Sequence, residues 1–183
     1  ENVTSCRNAP IHYTVRGTKG KAVFLVHGFL ESATIWNFIA AELSKKYRVI
    51  QLDLPGHGKS GCIGYCHTME IMAESINAVR LAENLRRITI IGHSLGGYAG
   101  LAFVDLFPDN IRALCLFQST SLPDSPQKKA DRLRAIELVK KSKHRFIYGS
   151  LPLLFRPKYR KELKETISEI KAQADERMTA RGI

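Results

Sequence analysis

The stretch that most constrains the fold runs from residue 87 to residue 107, where a short apolar run meets a serine flanked by glycines. Residues 88–91 are β-branched with little polar alternation, as expected of a strand buried on both faces of a parallel sheet. Residues 95–107 predict a buried helix. Between them, residues 92–96 are Gly-His-Ser-Leu-Gly, a G-x-S-x-G pattern that places a serine on a sharp strand-to-helix turn above a sheet.

A bare G-x-S-x-G match also arises by chance, with the serine acting only as a helix cap. Here the predicted strand, turn and helix around Ser94 favour a reactive serine, because that context is what the motif requires. The helix beginning at Leu95 directs its positive end and free N–H groups at this point, where a developing oxyanion would need them.

The rest of the first two thirds of the chain predicts strands that alternate with amphipathic helices. Apolar runs predict strands at residues 9–15, 22–26, 48–52 and 111–117, and helical spacing predicts helices that begin near Ser32 and Thr68. Such alternation is typical of an α/β fold with a parallel sheet and right-handed crossovers. In such folds, binding sites lie at the carboxyl ends of the strands.

Three segments follow predicted strand ends, and together they carry a family resemblance. They are His27-Gly28-Phe29, the turn-rich loop from Asp53 to Ser60, and the serine turn itself. In this order and spacing, residues 9–121 resemble the α/β-hydrolase superfamily. The resemblance implies an α/β-hydrolase fold, with a mostly parallel sheet and flanking helices.

The resemblance also implies roles for single residues. Ser94 would be the nucleophile, and the backbone N–H groups of Phe29 and Leu95 would form the oxyanion hole. His27, Gly28 and His93 are expected to contribute to substrate binding. No metal ion and no organic cofactor is expected.

From Leu122 onward only helices are predicted, which resembles the helical cap that many members of this family insert. We therefore expect a hydrolase core at residues 1–121 and a cap at residues 122–183. The first cap helix begins at Ser125-Pro126 with Leu133, Ile136 and Val139 as its apolar face, and a long second helix opens at Pro157. The apolar stretch 146–155 between them is expected either to line an acyl pocket or to pack the cap on the core.

The acid and base of the expected catalytic triad are missing from the pattern. In this superfamily they follow the serine in the order acid, then histidine, and His144 is the only histidine after Ser94. His144 lies in a run of charged residues typical of a solvated helix end, so we do not expect it to be the base. After Ser94, Asp124 is the only acid near a predicted strand end, and a turn or cap explains it equally well.

These absences predict that the chain is the N-terminal part of a hydrolase, without the C-terminal strands. The 183-residue chain alone is then expected to be inactive. The sheet would end at residues 111–117, and such an exposed apolar edge predicts self-association.

Charge and hydropathy reduce the number of functional classes that remain open. The net charge is +11, and residues 122–183 hold 16 Lys+Arg against 8 Asp+Glu. These charges alternate with acids at helical spacing and lack an aromatic stacking motif, so a solvated helical face is favoured over nucleic-acid binding. No membrane span or leader is visible.

The four cysteines do not form a disulfide framework, which favours a reducing, cytoplasmic setting. Cys62, Cys66 and His67 lack the spacing of a zinc knuckle and a second ligand pair.

Two functions remain open. The first is a serine hydrolase that acts on a small ester or thioester through an acyl-enzyme on Ser94. The alternative is a non-catalytic binding protein that keeps the α/β-hydrolase fold with an incomplete triad, since fold alone does not fix function.

Overall fold

The sheet organises the whole molecule, as seen in a computed structural model that describes residues 1–183. The strands are β1 (Asn2–Cys6), β2 (Ala9–Arg16), β3 (Ala22–Val26), β4 (Arg48–Leu52), β5 (Ile88–His93) and β6 (Ile111–Phe117). In space, their order is β1-β2-β4-β3-β5-β6. β1, β2 and β4 pair antiparallel in turn, whereas β4, β3, β5 and β6 form a parallel block. The predicted α/β fold with a mostly parallel sheet is confirmed.

Six helices complete the fold. They are α1 (Asn37–Leu43), α2 (Met69–Ala82), α3 (Leu95–Leu106), α4 (Pro126–Lys141), α5 (Lys143–Ser150) and α6 (Lys164–Arg177). Short 3-10 turns lie at Ala33–Trp36, Pro108–Asn110, Leu151–Leu154 and Pro157–Tyr159. None of the helices combines the length and the hydropathy needed to cross a bilayer.

The central strand β3 divides its side chains between two apolar layers. Phe24 and Val26 belong to the larger core, which α2 and α3 cover. Val23 and Leu25 point to the opposite face, where they pack with residues that include Trp36. All five side chains of β3 are buried, because a strand in the middle of a parallel sheet is covered on both faces.

The helices after β6 pack on the loop that follows β3. Their buried cluster contains Leu30 from that loop together with residues of α4, α5 and α6. The Phe146 ring lies edge-on to Phe29, with centroids 6.3 Å apart. Of the apolar stretch 146–155, Phe146 and Leu151 are thus part of this packing, while Leu153 and Leu154 are exposed.

Several predicted elements differ from the observed ones. Ser32 makes no cap hydrogen bond, since its hydroxyl pairs with that of Thr34 at 2.7 Å, and a 3-10 turn precedes α1. The predicted apolar face of α4 is wrong for Leu133 and Ile136, which are 66% and 47% exposed. Only Val139 of that face is buried, because α4 contacts the helical cluster through Val139 and Ala135.

The predicted long helix opens later than expected. Pro157–Tyr159 forms a 3-10 turn, and the α-helix begins only at Lys164. The Arg160 N–H donates to the Pro157 carbonyl, so the first turn is tighter than an α-helical one.

Close packing of α3 on the end of β3 predicts a strict requirement for glycine at position 96. A Cβ there would lie 2.6 Å from the carbonyl oxygen of His27 and still closer to that of Val26. We expect Gly96→Ala to lower the free energy of unfolding by about 1–3 kcal/mol, because backbone atoms cannot yield as a side chain can. The measurement is urea unfolding followed by circular dichroism.

The matched control for this prediction is Gly149→Ala. Gly149 lies in α5, and no atom outside its own helix would meet an added Cβ. This variant should gain up to about 1 kcal/mol from helix propensity. Equal stability of the two variants would contradict the packing argument.

The edge strand β6 leads to a second prediction. Its partner is β5 on one side, and Arg112, Ala113 and Cys115 are exposed along it. We expect concentration-dependent self-association of the 183-residue chain, because an unpaired parallel edge offers free N–H and C=O groups to a second copy. Sedimentation velocity would measure it.

A charge on this edge tests the assignment. Ala113→Lys should weaken the association, since an edge lysine opposes strand pairing. Ala172→Lys adds the same charge at an exposed position of α6 and should leave the association unchanged. Equal effects of the two variants would show that net charge, not the edge, governs association.

Candidate active site

Ser94 occupies a strained corner between β5 and α3. Its backbone has φ 49° and ψ −112°, a region that L-residues with a Cβ rarely adopt. Such conformations cost about 1–3 kcal/mol and persist only where surrounding contacts enforce them. The corner is therefore a place where the fold holds a serine against its own backbone preference.

Hydrogen bonds from β6 and the loop after it enforce the corner. The Ser94 N–H donates to the carbonyl of Phe117 at 3.2 Å. The Ser94 carbonyl accepts from the Ser119 hydroxyl at 2.8 Å and from the Gly97 N–H at 2.9 Å. Sequence analysis did not single out Ser119, because nothing in its local pattern distinguishes it from a loop serine.

The two predicted oxyanion donors lie at the same end of the sheet, where the parallel strands β3 and β5 have their carboxyl ends. β3 and β5 are neighbours in parallel register, with Val26 opposite Gly92. Phe29 follows the end of β3, and Leu95 begins the helix after β5. The Phe29 N–H donates no hydrogen bond within the chain, and Leu95 is the first helical residue, whose N–H has no preceding turn to bond.

His27 holds two loops together from a fully buried position. Its Nδ1–H donates to the Gly28 carbonyl at 2.8 Å, and its Nε2 accepts from the Leu54 N–H at 3.0 Å. Burial lowers the pKa of this imidazole, which agrees with the neutral tautomer that these partners require. Both ring nitrogens are thus occupied within the chain.

The loop after β4 is organised by Asp53. One carboxylate oxygen accepts from the Ala33 N–H at 2.7 Å and the other from the Lys59 N–H at 2.9 Å. His57 lies in the same loop, where burial lowers its pKa to about 3. Its Nδ1–H donates to the Pro55 carbonyl at 3.0 Å, so its buried Nε2 is an acceptor without a partner.

Glu31 connects the loop after β3 to the serine corner. Its Oε2 accepts from the Gly28 N–H at 2.6 Å and lies 2.9 Å from Nδ1 of His93. This hydrogen bond raises the pKa of His93 against the opposing effect of burial. Sequence analysis missed Glu31, since a single acid in a loop carries no periodic signal.

The hydroxyl of Ser94 has no hydrogen-bond partner in the chain. His144, the one histidine after it, instead pairs with Asp175 at 2.6 Å and stacks on Tyr148 with ring centroids 4.0 Å apart. Asp124 is bound by Arg132. Neither residue is joined to Ser94 as a base or an orienting acid would be.

The chain holds no group of three or more His, Cys, Asp or Glu placed to bind a metal ion. The Cys62 thiol instead contacts the Thr179 hydroxyl at 3.4 Å. His67 accepts from the Ile63 N–H through Nε2 at 2.8 Å. Both side chains stabilise the loop between β4 and α2.

Comparison with known sequences finds relatives that include an uncharacterized protein and an esterase. The chain is 34% identical over 97 residues to an uncharacterized protein of Mycobacterium tuberculosis, a match covering 53% of this chain and 28% of that protein. It is 32% identical over 112 residues to the pimeloyl-(acyl-carrier protein) methyl ester esterase of Nitrosomonas europaea, covering 61% of this chain and 42% of the relative. The matches thus span less than half of each relative.

Comparison with solved structures also finds an esterase. A thermophilic esterase from Thermogutta terrifontis superposes with a TM-score of 0.85 at 30% identity, over 98% of this chain and 66% of the esterase. The family described as alpha/beta hydrolase fold matches residues 21–172. The sheet order, the serine corner and these matches together show that the chain belongs to the α/β-hydrolase fold family.

Proposed function

We propose that the protein is a serine hydrolase that cleaves a small carboxylic ester or thioester through an acyl-enzyme on Ser94. The observation that carries the proposal is the strained corner at Ser94, which hydrogen bonds with Phe117 and Ser119 fix. Esterases among the relatives support the ester as substrate. Hydrolysis itself is what the family membership indicates.

In the proposed reaction, Ser94 Oγ attacks the carbonyl carbon of the substrate while a general base removes its proton. The carbonyl electron pair moves onto oxygen, and the N–H groups of Phe29 and Leu95 donate to that oxyanion. Collapse of the tetrahedral intermediate expels an alcohol or thiol, which takes the proton from the base. Water then attacks the acyl-enzyme in the same way and releases the acid and free Ser94.

We propose that the base and its acid come from outside residues 1–183. His27 bonds the backbone of Gly28 and Leu54, His93 bonds Glu31, and His57 bonds the Pro55 carbonyl. None of these imidazoles bonds the Ser94 hydroxyl. The relatives that the chain matches are longer than the matched segments. A serine without a base in hydrogen-bond reach is a weak nucleophile at neutral pH.

The remaining site residues receive roles by position. Gly28 and His93 flank the oxyanion donors and would border the acyl group of the substrate. The full burial of His27 supports an indirect part in substrate binding, through the loops that it holds. We propose that residues 122–183 act as a cap over the core of residues 1–121, since their cluster seats on Leu30 beside Phe29.

We also propose a reducing, cytoplasmic setting. All four cysteines are free thiols in the structure, and two of them are exposed. Exposed free thiols are more common where the surroundings keep them reduced.

The first test is covalent labelling of Ser94. A fluorophosphonate probe should attach to Ser94 in the folded full-length protein, which includes the segment proposed to supply the base, because its phosphoryl oxygen would occupy the oxyanion hole during attack. Peptide mapping by mass spectrometry identifies the labelled serine. Ser94→Ala should abolish the label, and Ser125→Ala, which removes a hydroxyl that only caps α4, should leave it intact.

Absence of label at Ser94 in the folded full-length protein would overturn the proposal. The non-catalytic binding protein would then be the better account. Label at several serines, retained after denaturation, would show nonspecific reaction and count equally against it.

The second test concerns residues 1–183 alone. We expect their turnover of p-nitrophenyl acetate to match that of Ser94→Ala, because loss of a triad member leaves only the contribution of the oxyanion hole and binding. Hydrolysis is followed by the absorbance of nitrophenolate. Turnover that Ser94→Ala abolishes would place a base within these residues, and His144→Ala would be the next variant to measure.

A further inference from the structure

The loop that carries one oxyanion donor and the corner that carries the other are joined by one carboxylate oxygen. Oε2 of Glu31 accepts from the Gly28 N–H at 2.6 Å and from His93 Nδ1 at 2.9 Å. Gly28 immediately precedes Phe29, and His93 is two residues before Leu95. We call this arrangement of Gly28, Glu31 and His93 the carboxylate bridge.

We propose that Glu31 is a positioning residue, which sets the placement of the Phe29 N–H relative to the Leu95 N–H through the carboxylate bridge. The inference rests on the proposed function of Ser94. It goes beyond that function by assigning the geometry of the oxyanion hole to a side chain that bonds Gly28 and His93 and makes no hydrogen bond to Ser94.

The space around Gly28 supports the assignment. A Cβ at Gly28 would lie 2.8 Å from Oε2 of Glu31 and 2.9 Å from Nδ1 of His93. The absence of a side chain at this position therefore allows the carboxylate and the imidazole to approach the backbone together. The two sides of the bridge are largely shielded, with 17% of the Glu31 side chain and 24% of the His93 side chain exposed.

The peptide group between Gly28 and Phe29 links the bridge to the donor. Because a peptide group is planar, fixing the Gly28 carbonyl also fixes the direction of the Phe29 N–H. That carbonyl accepts from His27 Nδ1 at 2.8 Å and from the Glu31 N–H at 3.4 Å. Glu31 thus holds Gly28 at both ends, through its side chain and through its own backbone.

Precise donor placement is what an oxyanion hole requires. Its contribution arises from N–H groups already aimed at the position of the developing charge, and losing one donor costs about 10²- to 10³-fold in rate. A bridge that misplaces a donor without removing it should cost less. We expect a loss of about tenfold in the affinity for a tetrahedral anion at Ser94.

The experiment uses phenylboronic acid as the probe and boron NMR as the readout. Addition of Ser94 Oγ to the trigonal boron, with release of a proton to solvent, gives a tetrahedral boronate anion whose oxygen mimics the oxyanion. With the folded full-length wild-type protein, which includes the segment proposed to supply the base, we expect a tetrahedral signal that Ser94→Ala abolishes. In the same titration, the amide protons of Phe29 and Leu95 should shift downfield in proton–nitrogen spectra.

Four variants separate positioning from general damage. Glu31→Ala should weaken boronate binding about tenfold and remove the shift of the Phe29 amide. Glu31→Gln should recover most of the affinity, since an amide oxygen in the place of Oε2 can accept from the Gly28 N–H and from the Nδ1–H of a neutral imidazole. His93→Ala removes only the contact between Glu31 and the serine corner, so it should give a smaller loss of boronate affinity. Glu42→Ala removes an exposed acid of α1 paired with Lys45 and should change nothing.

The titration of His93 gives a readout that does not depend on any ligand. The titratable groups facing its ring are Glu31 and His27, and from β6 the neighbour is the uncharged Phe117. Because the hydrogen bond with Glu31 raises the pKa of His93, Glu31→Gln should lower that pKa. The stabilisation from this pair is present below the ordinary imidazole pKa and is lost as the pH rises through the raised value.

The outcomes separate failure of the Ser94 function from failure of the Glu31 role. If the wild-type protein gives no Ser94-dependent tetrahedral signal, the proposed function fails. If it gives the signal, and Glu31→Ala binds phenylboronic acid as tightly with the same Phe29 shift, the role of Glu31 is overturned. Should Glu31→Ala fail to fold by circular dichroism, the His93→Ala affinity and the Phe29 shift decide the inference in the same way.

Discussion

The strained backbone of Ser94, at the carboxyl end of β5, is the constraint on which the arrangement of the surrounding loops depends. A positive φ at a residue with a Cβ costs about 1–3 kcal/mol and survives only where several contacts enforce it. Here those contacts come from Phe117 and Ser119, and thus from the end of β6 and the loop after it. A strand that adds to the sheet therefore also holds the corner on the strand beside it.

The neighbouring loops are held in the same manner, by single side chains that bind backbone N–H groups. Asp53 accepts from two amides of different loops, and Glu31 accepts from one amide and one imidazole. His27 bonds the backbone on both sides of its ring. The Phe29 N–H has no partner within the chain, so it is free to donate to a ligand.

Sequence pattern predicted the parallel block of the sheet well, because buried strands with short turns leave a direct signal. The bounds 22–26, 48–52 and 111–117 were predictable from apolar runs alone, and Thr68 and Ser125 accept cap hydrogen bonds as expected. Strand β1 left no such signal, since Asn2–Cys6 is polar and half-exposed. Its hairpin turn is formed by Arg7 and Asn8, both at positive φ. Neither residue is the glycine that would signal such a turn in the sequence.

The helical part was harder to predict for a physical reason. Helical spacing shows which residues share a face, but not which face meets a partner, and α4 buries Val139 while Leu133 and Ile136 face solvent. The same limit applies to the site. The motif predicted Ser94 and the loop at His27, yet Glu31 became visible only when folding brought it between Gly28 and His93.

Distance, and not residue type, separates the carboxylate–imidazole pairs of this chain from a catalytic pair. The chain contains two carboxylate–imidazole pairs, Glu31 with His93 at 2.9 Å and Asp175 with His144 at 2.6 Å. Either pair has the residue types of a general base with its orienting acid. Neither imidazole bonds the Ser94 hydroxyl, and the Nδ1 of His93 is directed into the carboxylate bridge. The first pair therefore stabilises the backbone around the serine corner, and the second joins α5 to α6. Both pairs have a structural role because neither imidazole is hydrogen-bonded to the Ser94 hydroxyl.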